Sequence, residues 1–296
     1  MHKEFLMGNA AIALGAVAAG VNVVAGYPGT PSTEVLETIA KHRPDDVYVE
    51  WSVNEKAAME LAAGASYAGA RSMVTMKQVG LNVASDPLMS LEYVGIKGGM
   101  VILVADDPGP ISSQTEQDTR HFSRFSKLPC FDPSSAQEAY EMIQEAFEYS
   151  EKYGTPVFLR PTTRVCHGYA SIMVKDETEY THHQPEGFIK DSKRWVIFPR
   201  LSFMNHKKIE ARNQELSDIF SSYEKNTIHP SCDAFKDSKK GIATGGISYT
   251  YTMETLKKTG MVKTLKIATP HPFPEKLAVD FLSELDEVLC LEELDP

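Results

Sequence analysis

Four stretches of the 296-residue sequence combine residue types that could do chemistry. The first is Gly26-Tyr27-Pro28-Gly29-Thr30-Pro31-Ser32-Thr33, where an apolar run gives way to a helical pattern. Thr30 suits an N-cap and Pro31 the first helical turn, so the Ser32 and Thr33 hydroxyls would gather beside unpaired backbone N–H groups. Such a cluster can cradle a carboxylate or phosphate, although a plain capped turn uses the same residues. No Gly-Lys-Ser or Gly-Lys-Thr follows, which excludes a Walker-type nucleotide loop. The second stretch runs from Asn54 to Arg71, with an inward stripe of alanines that lets a backbone or a flat ligand come close. Glu55 stands in its first turn, at the carboxyl end of the preceding strand. Ser52-Val53-Asn54-Glu55 also matches a capping box, in which Glu55 would reach back to the Ser52 N–H. The third is the polar segment from Asp106 to Lys127, with Ser112, Ser113, Gln114, Arg120, His121 and Arg124. A loop of that length is either a solvated connection or a substrate lid. Arg120 and Arg124 could attract a carboxylate by charge-assisted hydrogen bonds, and Arg120 is the preferred candidate. The fourth, Thr244-Gly245-Gly246-Ile247-Ser248, misses the Gly-x-Gly-x-x-Gly spacing and reads as a tight turn.

The elements that must position these residues alternate strand and helix up to about Arg164. Expected strands are Val21–Gly26, Val47–Trp51, Ser72–Met76, Met100–Ala105 and Pro156–Arg160. Expected helices are Gly8–Gly20, Pro31–His42, Asn54–Ala68, Leu81–Val94 and Ala136–Tyr153. Strands apolar on both faces and joined by helices imply α/β organisation: a parallel sheet with helices on both faces, its ligands beyond the carboxyl ends of the strands. Between residues 176 and 240 the character changes to a linker with one amphipathic helix around Asn205–Tyr223. A second, smaller α/β unit over residues 241–296 follows: strand Gly241–Thr244, helix Tyr249–Thr259, strand Val262–Ala268, helix Pro274–Leu285, strand Glu287–Leu291. Some 55 residues make a thin core, so the expectation is that further chain or a partner supplies the missing layer.

Composition removes several function classes. A net charge of −10 opposes binding to a nucleic-acid backbone, which needs clustered Lys and Arg. No apolar run approaches the roughly 20 residues that span a bilayer, and the first residues do not read as a secretion signal. A cytoplasmic protein is the expectation. The four cysteines, Cys130, Cys166, Cys232 and Cys290, are far apart, with no Cys-x-x-Cys and no metal-ligand spacing, so no metal site is expected.

Taken in order, these motifs carry a resemblance. Asn54-Glu55-x-Ala57-Ala58, continued by Gly64 and Ala68-Gly69-Ala70-Arg71, looks like the glutamate helix of thiamine diphosphate enzymes. Gly26-Tyr27-Pro28-Gly29-Thr30-Pro31-Ser32 and Met76-Lys77-Gln78-Val79-Gly80-Leu81-Asn82 resemble the arylpyruvate branch of the 2-oxoacid ferredoxin oxidoreductases, in particular the amino-terminal part of indolepyruvate ferredoxin oxidoreductase alpha subunits. Asp106-Asp107-Pro108-Gly109-Pro110 and Arg160-Pro161-Thr162-Thr163-Arg164 add to it. The likeness covers residues 1 to 170 and returns at Gly241.

The resemblance implies a pyrimidine-binding domain over residues 1–175 and a transketolase carboxy-terminal-like domain over 241–296. It implies that Glu55 hydrogen-bonds the aminopyrimidine of thiamine diphosphate, with Gly29, Gly80, Leu81 and Asn82 beside the cofactor. Thr30 and Ser32 would face the substrate. Gln78 departs from the His that relatives often carry. No Gly-Asp-Gly occurs in the chain, so Mg²⁺ and the diphosphate, like 4Fe-4S clusters, would be held by domains outside it. The implied activity is oxidative decarboxylation of arylpyruvates such as indolepyruvate, with coenzyme A and ferredoxin. It would need the remaining alpha-subunit domains, a beta subunit and a homo-oligomer, and the isolated chain is expected to be incomplete. Two alternatives stay open: a pyruvate or 2-ketoisovalerate type of subunit, and a non-catalytic assembly module.

Overall fold

Residues with apolar side chains on both faces of a strand need cover on both sides, and this requirement organises the larger part of the chain. A computed structural model describes residues 1–42, 45 and 47–295; the expected end of the smaller unit at Pro296 lies outside them. The order begins β1 (His2–Met7), α1 (Gly8–Ala18), β2 (Val23–Gly26), α2 (Thr33–His42), β3 (Tyr48–Trp51), α3 (Glu55–Tyr67), β4 (Ser72–Lys77), α4 (Gln78–Val94) and β5 (Met100–Ala105). It continues with α5 (Thr119–Phe125), β6 (Cys130–Phe131), α6 (Ala136–Tyr153), β7 (Val157–Leu159), α7 (Thr163–His167) and β8 (Tyr169–Val174).

Strands β3-β2-β4-β5-β7-β6 form one sheet, parallel at every pairing. Successive residues of one strand serve opposite layers. Val101 and Leu103 pack with Ile12, Leu36 and Phe147 from α1, α2 and α6. Ile102 and Val104 pack with Met59 and Leu88 from α3 and α4. This period of two, on strands buried on both faces, is why the runs read as continuously apolar. The expected architecture, a parallel sheet with helices on both faces, is the one observed.

The remaining elements are α8 (Ser192–Trp195), α9 (Pro199–Phe220), β9 (Thr227–His229), β10 (Lys240–Gly245), α10 (Gly246–Thr259), β11 (Lys263–Ile267), α11 (Glu275–Leu282) and β12 (Glu287–Leu291). The smaller sheet has the order β12-β10-β11-β9, with β9 antiparallel to β11 and the other pairings parallel. It docks on the larger sheet at its β6 edge, where Cys130 N donates to His271 O at 2.7 Å and Asp132 N to Ala268 O at 2.8 Å.

Four strands escape the periodicity argument: β6, whose two residues are too few to show a period, and three others. β1 pairs antiparallel with β8, and β9 borders the smaller sheet. The residues of β1, β8 and β9 are mostly exposed or half-buried, so no apolar run marks them. No helix among the described residues is long and apolar enough to cross a membrane.

Candidate cofactor site

The chain leaves β2 to one side, for β3, and then returns to the other, for β4, so the strand order reverses between β2 and β4. Gly26 of β2 pairs in register with Thr75 of β4, and the crevice beyond these ends is where parallel α/β sheets take ligands. Four segments converge there: the Gly26–Ser32 turn, the start of α3, the start of α4 and the loop after β5.

Glu55 opens α3, with the capping arranged differently from the sequence expectation. Asn54 is the N-cap, its side-chain oxygen accepting from Ala57 N at 2.9 Å. The Ser52 N–H donates to Gly26 O at 2.8 Å and its hydroxyl to Glu50, so Ser52 is not available to hold Glu55. The capping box is therefore not formed, because the backbone joining β3 to α3 is spent on the sheet. Glu55 is left half-buried with a carboxylate that makes no hydrogen bond or ion pair among the described residues. It lies against Gly80 instead: a Cβ on Gly80 would stand 2.7 Å from Glu55 Cγ and 2.8 Å from Cδ. Any side chain at position 80 would push this carboxylate aside. Helix α4 starts at Gln78, directly from β4 and three residues before the expected Leu81, which brings Gly80 into its first turn. Alanines 58, 62 and 63 of α3 are buried against the sheet and α4, and Lys56 pairs with Asp86 across the two helices at 2.8 Å.

The Gly26–Thr33 turn is not an open anion cradle. Gly29 N donates to Thr33 Oγ1 at 2.9 Å, and the Ser32 hydroxyl donates to Gly29 O at the same distance. Ser32 is 1% exposed, so its hydroxyl is used inside the turn and does not face a substrate. Thr30 remains exposed beside the crevice, its carbonyl accepting from Ser112 Oγ at 3.2 Å. Gly29 accommodates Lys77, whose Cγ would lie 3.2 Å from a Cβ there, and the Lys77 ammonium reaches Ser112 O at 3.5 Å. Lys77 is a cation at the end of a strand, which gives no signal in the sequence until the neighbouring turn is in place.

The loop after β5 is held rather than free. Asp107 Oδ2 accepts from the N–H groups of Ile111, Ser112 and Ser113 at 3.0, 2.9 and 3.1 Å, and Oδ1 accepts from the Thr163 hydroxyl at 2.9 Å. Burial would raise its pKa, but these donors outweigh it and hold the carboxyl below its ordinary value. The loop then reaches α4. Gln78 Nε2 donates to Thr115 O at 3.3 Å, and Asn82 Nδ2 to Gln117 Oε1 at 3.2 Å. Gln78 is 2% exposed and its Oε1 has no partner, a buried acceptor within the same first turn as Gly80. Leu81 is buried in the core of that layer.

Arg120 is placed elsewhere, with another occupation. It lies in α5, a helix inside the segment expected to be loop, and its Nε and Nη2 donate to Asp118 at 3.0 and 2.6 Å. Nη1 pairs with Glu292 and Nη2 also donates to Asp295 O, so the guanidinium clamps the end of the smaller unit instead of presenting itself to a carboxylate. Beneath it Arg160, 1% exposed, joins Asp106 at 2.7 Å, Asp132 at 3.3 Å and Asp118 at 3.7 Å. Desolvation opposes its charge, but three carboxylates around it keep it protonated well above the ordinary arginine value. Asp118, His121 and Asp295 bring metal-ligand atom types together, yet Asp118 is already neutralised by the two arginines.

A family model for the pyruvate flavodoxin/ferredoxin oxidoreductase, thiamine diphosphate-binding domain matches residues 14–231, well over half of the chain. The chain belongs to this family. Among relatives of this oxidoreductase-family chain, the indolepyruvate oxidoreductase subunit of Methanothermobacter thermautotrophicus is 43% identical over 99% of the chain and 47% of its own length. That of Pyrococcus abyssi is 42% identical over 100% of the chain and 46% of its own length. The chain thus spans about half the length of these relatives. A solved structure of 2-oxoglutarate:ferredoxin oxidoreductase from Magnetococcus marinus, with 2-oxoglutarate, coenzyme A and succinyl-CoA bound, superimposes with a TM-score of 0.78. It covers 97% of this chain and 57% of that one at 18% identity, a likeness of fold.

Proposed function

We propose that this chain supplies the pyrimidine-facing part of a thiamine diphosphate-dependent oxidoreductase that decarboxylates arylpyruvates, indolepyruvate among them, to acyl-coenzyme A with ferredoxin as electron acceptor. One observation supports this above the others: an unpartnered carboxylate, Glu55, packed on a glycine in the crevice where the strand order reverses. The residues fit the aminopyrimidine, because the site offers a free carboxylate, a backbone without side chain at Gly80 and a buried acceptor at Gln78 Oε1. When bound, thiamine diphosphate supplies a carbon nucleophile and an electron sink for 2-oxoacid decarboxylation.

Glu55 would hold a shared proton with a ring nitrogen of the pyrimidine, the half-buried position strengthening that bond. Gly29, Gly80, Leu81 and Asn82 would shape the floor. Thr30 and Lys77, at the rim, would meet the carboxylate of the substrate; Ser32 and Arg120, already committed, have no part in this. Mg²⁺, the diphosphate and the 4Fe-4S clusters would be held outside this chain, by further alpha-subunit domains and a beta subunit, in a homo-oligomer of the cytoplasm. The isolated chain would not turn over.

The test is isotopic. In the assembled complex Glu55→Ala should leave 2-oxoacid-independent assembly intact and slow exchange of the cofactor C2 proton by a factor of about 10²–10⁴, the usual range for a positioned acid or base. Exchange at the unmodified rate in that variant would refute the assignment.

A further inference from the structure

We propose that the cleft between α4 and α9 is a second binding site, for a small aromatic carboxylate that carries an N–H donor. The cleft lies among the C-terminal turn of α4, the end of α6, the α8 segment and α9, and is not lined by Glu55, Gly80 or Lys77. Its volume of about 380 Å³ falls in the range of roughly 300–1,000 Å³ that small-molecule sites occupy.

Three polar groups point to a ligand. Glu92 is 3% exposed, yet its Oε1 has no hydrogen-bond partner; the Tyr153 hydroxyl is likewise buried and unpartnered. Arg212 donates from Nε to Asn213 Oδ1 at 3.2 Å and from Nη2 to Lys127 O at 2.8 Å, which leaves Nη1 without a partner among the described residues. Buried polar atoms are nearly always satisfied in folded proteins, so two in one cleft, Glu92 Oε1 and the Tyr153 hydroxyl, beside the open Arg212 Nη1, mark a place where something else completes the bonding. Burial raises the Glu92 pKa to about 7 and lowers that of Arg212 to about 10, and the charge of each only partly offsets the cost of desolvating the other.

The ligand class follows from the lining. Lys193 and Lys208 at the cleft, against Asp191, leave a positive balance around Arg212 and favour an anion. One free guanidinium nitrogen suits a singly charged carboxylate better than a phosphate. Glu92 Oε1 accepts an N–H. Tyr93, Tyr153, Leu201 and Ile209 supply aromatic and aliphatic walls for a flat body.

Indole-3-acetate is the probe, since it has all three features and, lacking a 2-oxo group, is no substrate for the proposed reaction. Titration calorimetry on the purified protein, with its partner subunits where these copurify, should show saturable binding at one site per chain. Phenylacetate, without the N–H, and indole, without the carboxylate, should each bind at least tenfold more weakly. Arg212→Gln should cut affinity at least tenfold, and exposed Lys208→Ser about threefold should Arg212→Gln not fold. Glu55→Ala should change nothing, which separates this site from the cofactor site. Absence of saturable binding, equal affinity for inorganic phosphate, or indifference to both cleft variants would overturn the proposal.

Discussion

Replacing Gly80 by alanine separates chemistry from stability more sharply than any change to Glu55 itself. The new methyl carbon would lie 2.7 Å from Glu55 Cγ and 2.8 Å from Cδ, roughly 0.8 Å inside the ~3.5 Å optimum for two carbons. Backbone packing of α4 against the sheet is fixed by Leu81, Ala84 and Leu88, all buried, so α4 is the stiffer partner. The Glu55 side chain, half-buried and otherwise unbonded, must therefore swing away by a distance near 1 Å. Folding loses little by this. An alanine within a helix is favoured over glycine by about 1 kcal/mol, which offsets the displacement, so the midpoint of thermal unfolding should stay within a few degrees of the parent. Catalysis should lose much more, because a misplacement of ~1 Å at a reacting group can cost about 10²-fold. In the assembled enzyme, C2-proton exchange of thiamine diphosphate, followed by NMR after acid quench, should slow about 100-fold while circular dichroism and melting are retained. A Gly80→Ala enzyme that exchanges at the parental rate, with Tm unchanged, would mean that Glu55 is not the group whose position matters.

Two further outcomes follow from buried charge. Arg160→Met leaves Asp106, Asp118 and Asp132 without their common cation, and breaking a buried pair in this way should destabilise the fold by about 3–5 kcal/mol in urea titration; a loss below about 1 kcal/mol would refute the account. His271 is held neutral by desolvation and by the cations of Arg212, Lys127 and Arg124, its pKa lowered to about 4. A depressed folded pKa contributes stability that is present above the ordinary value of 6.5 and lost as pH falls toward 4. The unfolding free energy from denaturant titration should drop across that interval by up to about 3 kcal/mol, and His271→Gln should flatten the slope.

The capping box at Ser52 shows where sequence reasoning and structure part. Ser-x-x-Glu is a local pattern, and locally it is sound; it fails because the Ser52 N–H is claimed by Gly26, a residue twenty-six positions earlier, once β3 lies beside β2. Arg120 fails for a related reason. Its charge was legible, but Glu292 and Asp295, which take up that charge, come from the far end of the chain. Ser32 was legible as a hydroxyl at a helix start, not as a hydroxyl turned inward. Gln78 was legible only as a departure from the His of relatives, and Lys77 only as one residue of the same motif.

The alternation of the five main strands with their helices, the parallel sheet they form and the Glu55 motif were determined by the sequence itself, since period and residue type are local properties that any stretch of chain displays. Which donors and acceptors remain free was decided only by tertiary structure. A polar group becomes available or spent according to neighbours that arrive from distant positions, and no local window contains them. Glu55 beside Gly80, and Arg120 closed between Asp118 and Glu292, are the two outcomes of that selection in this protein.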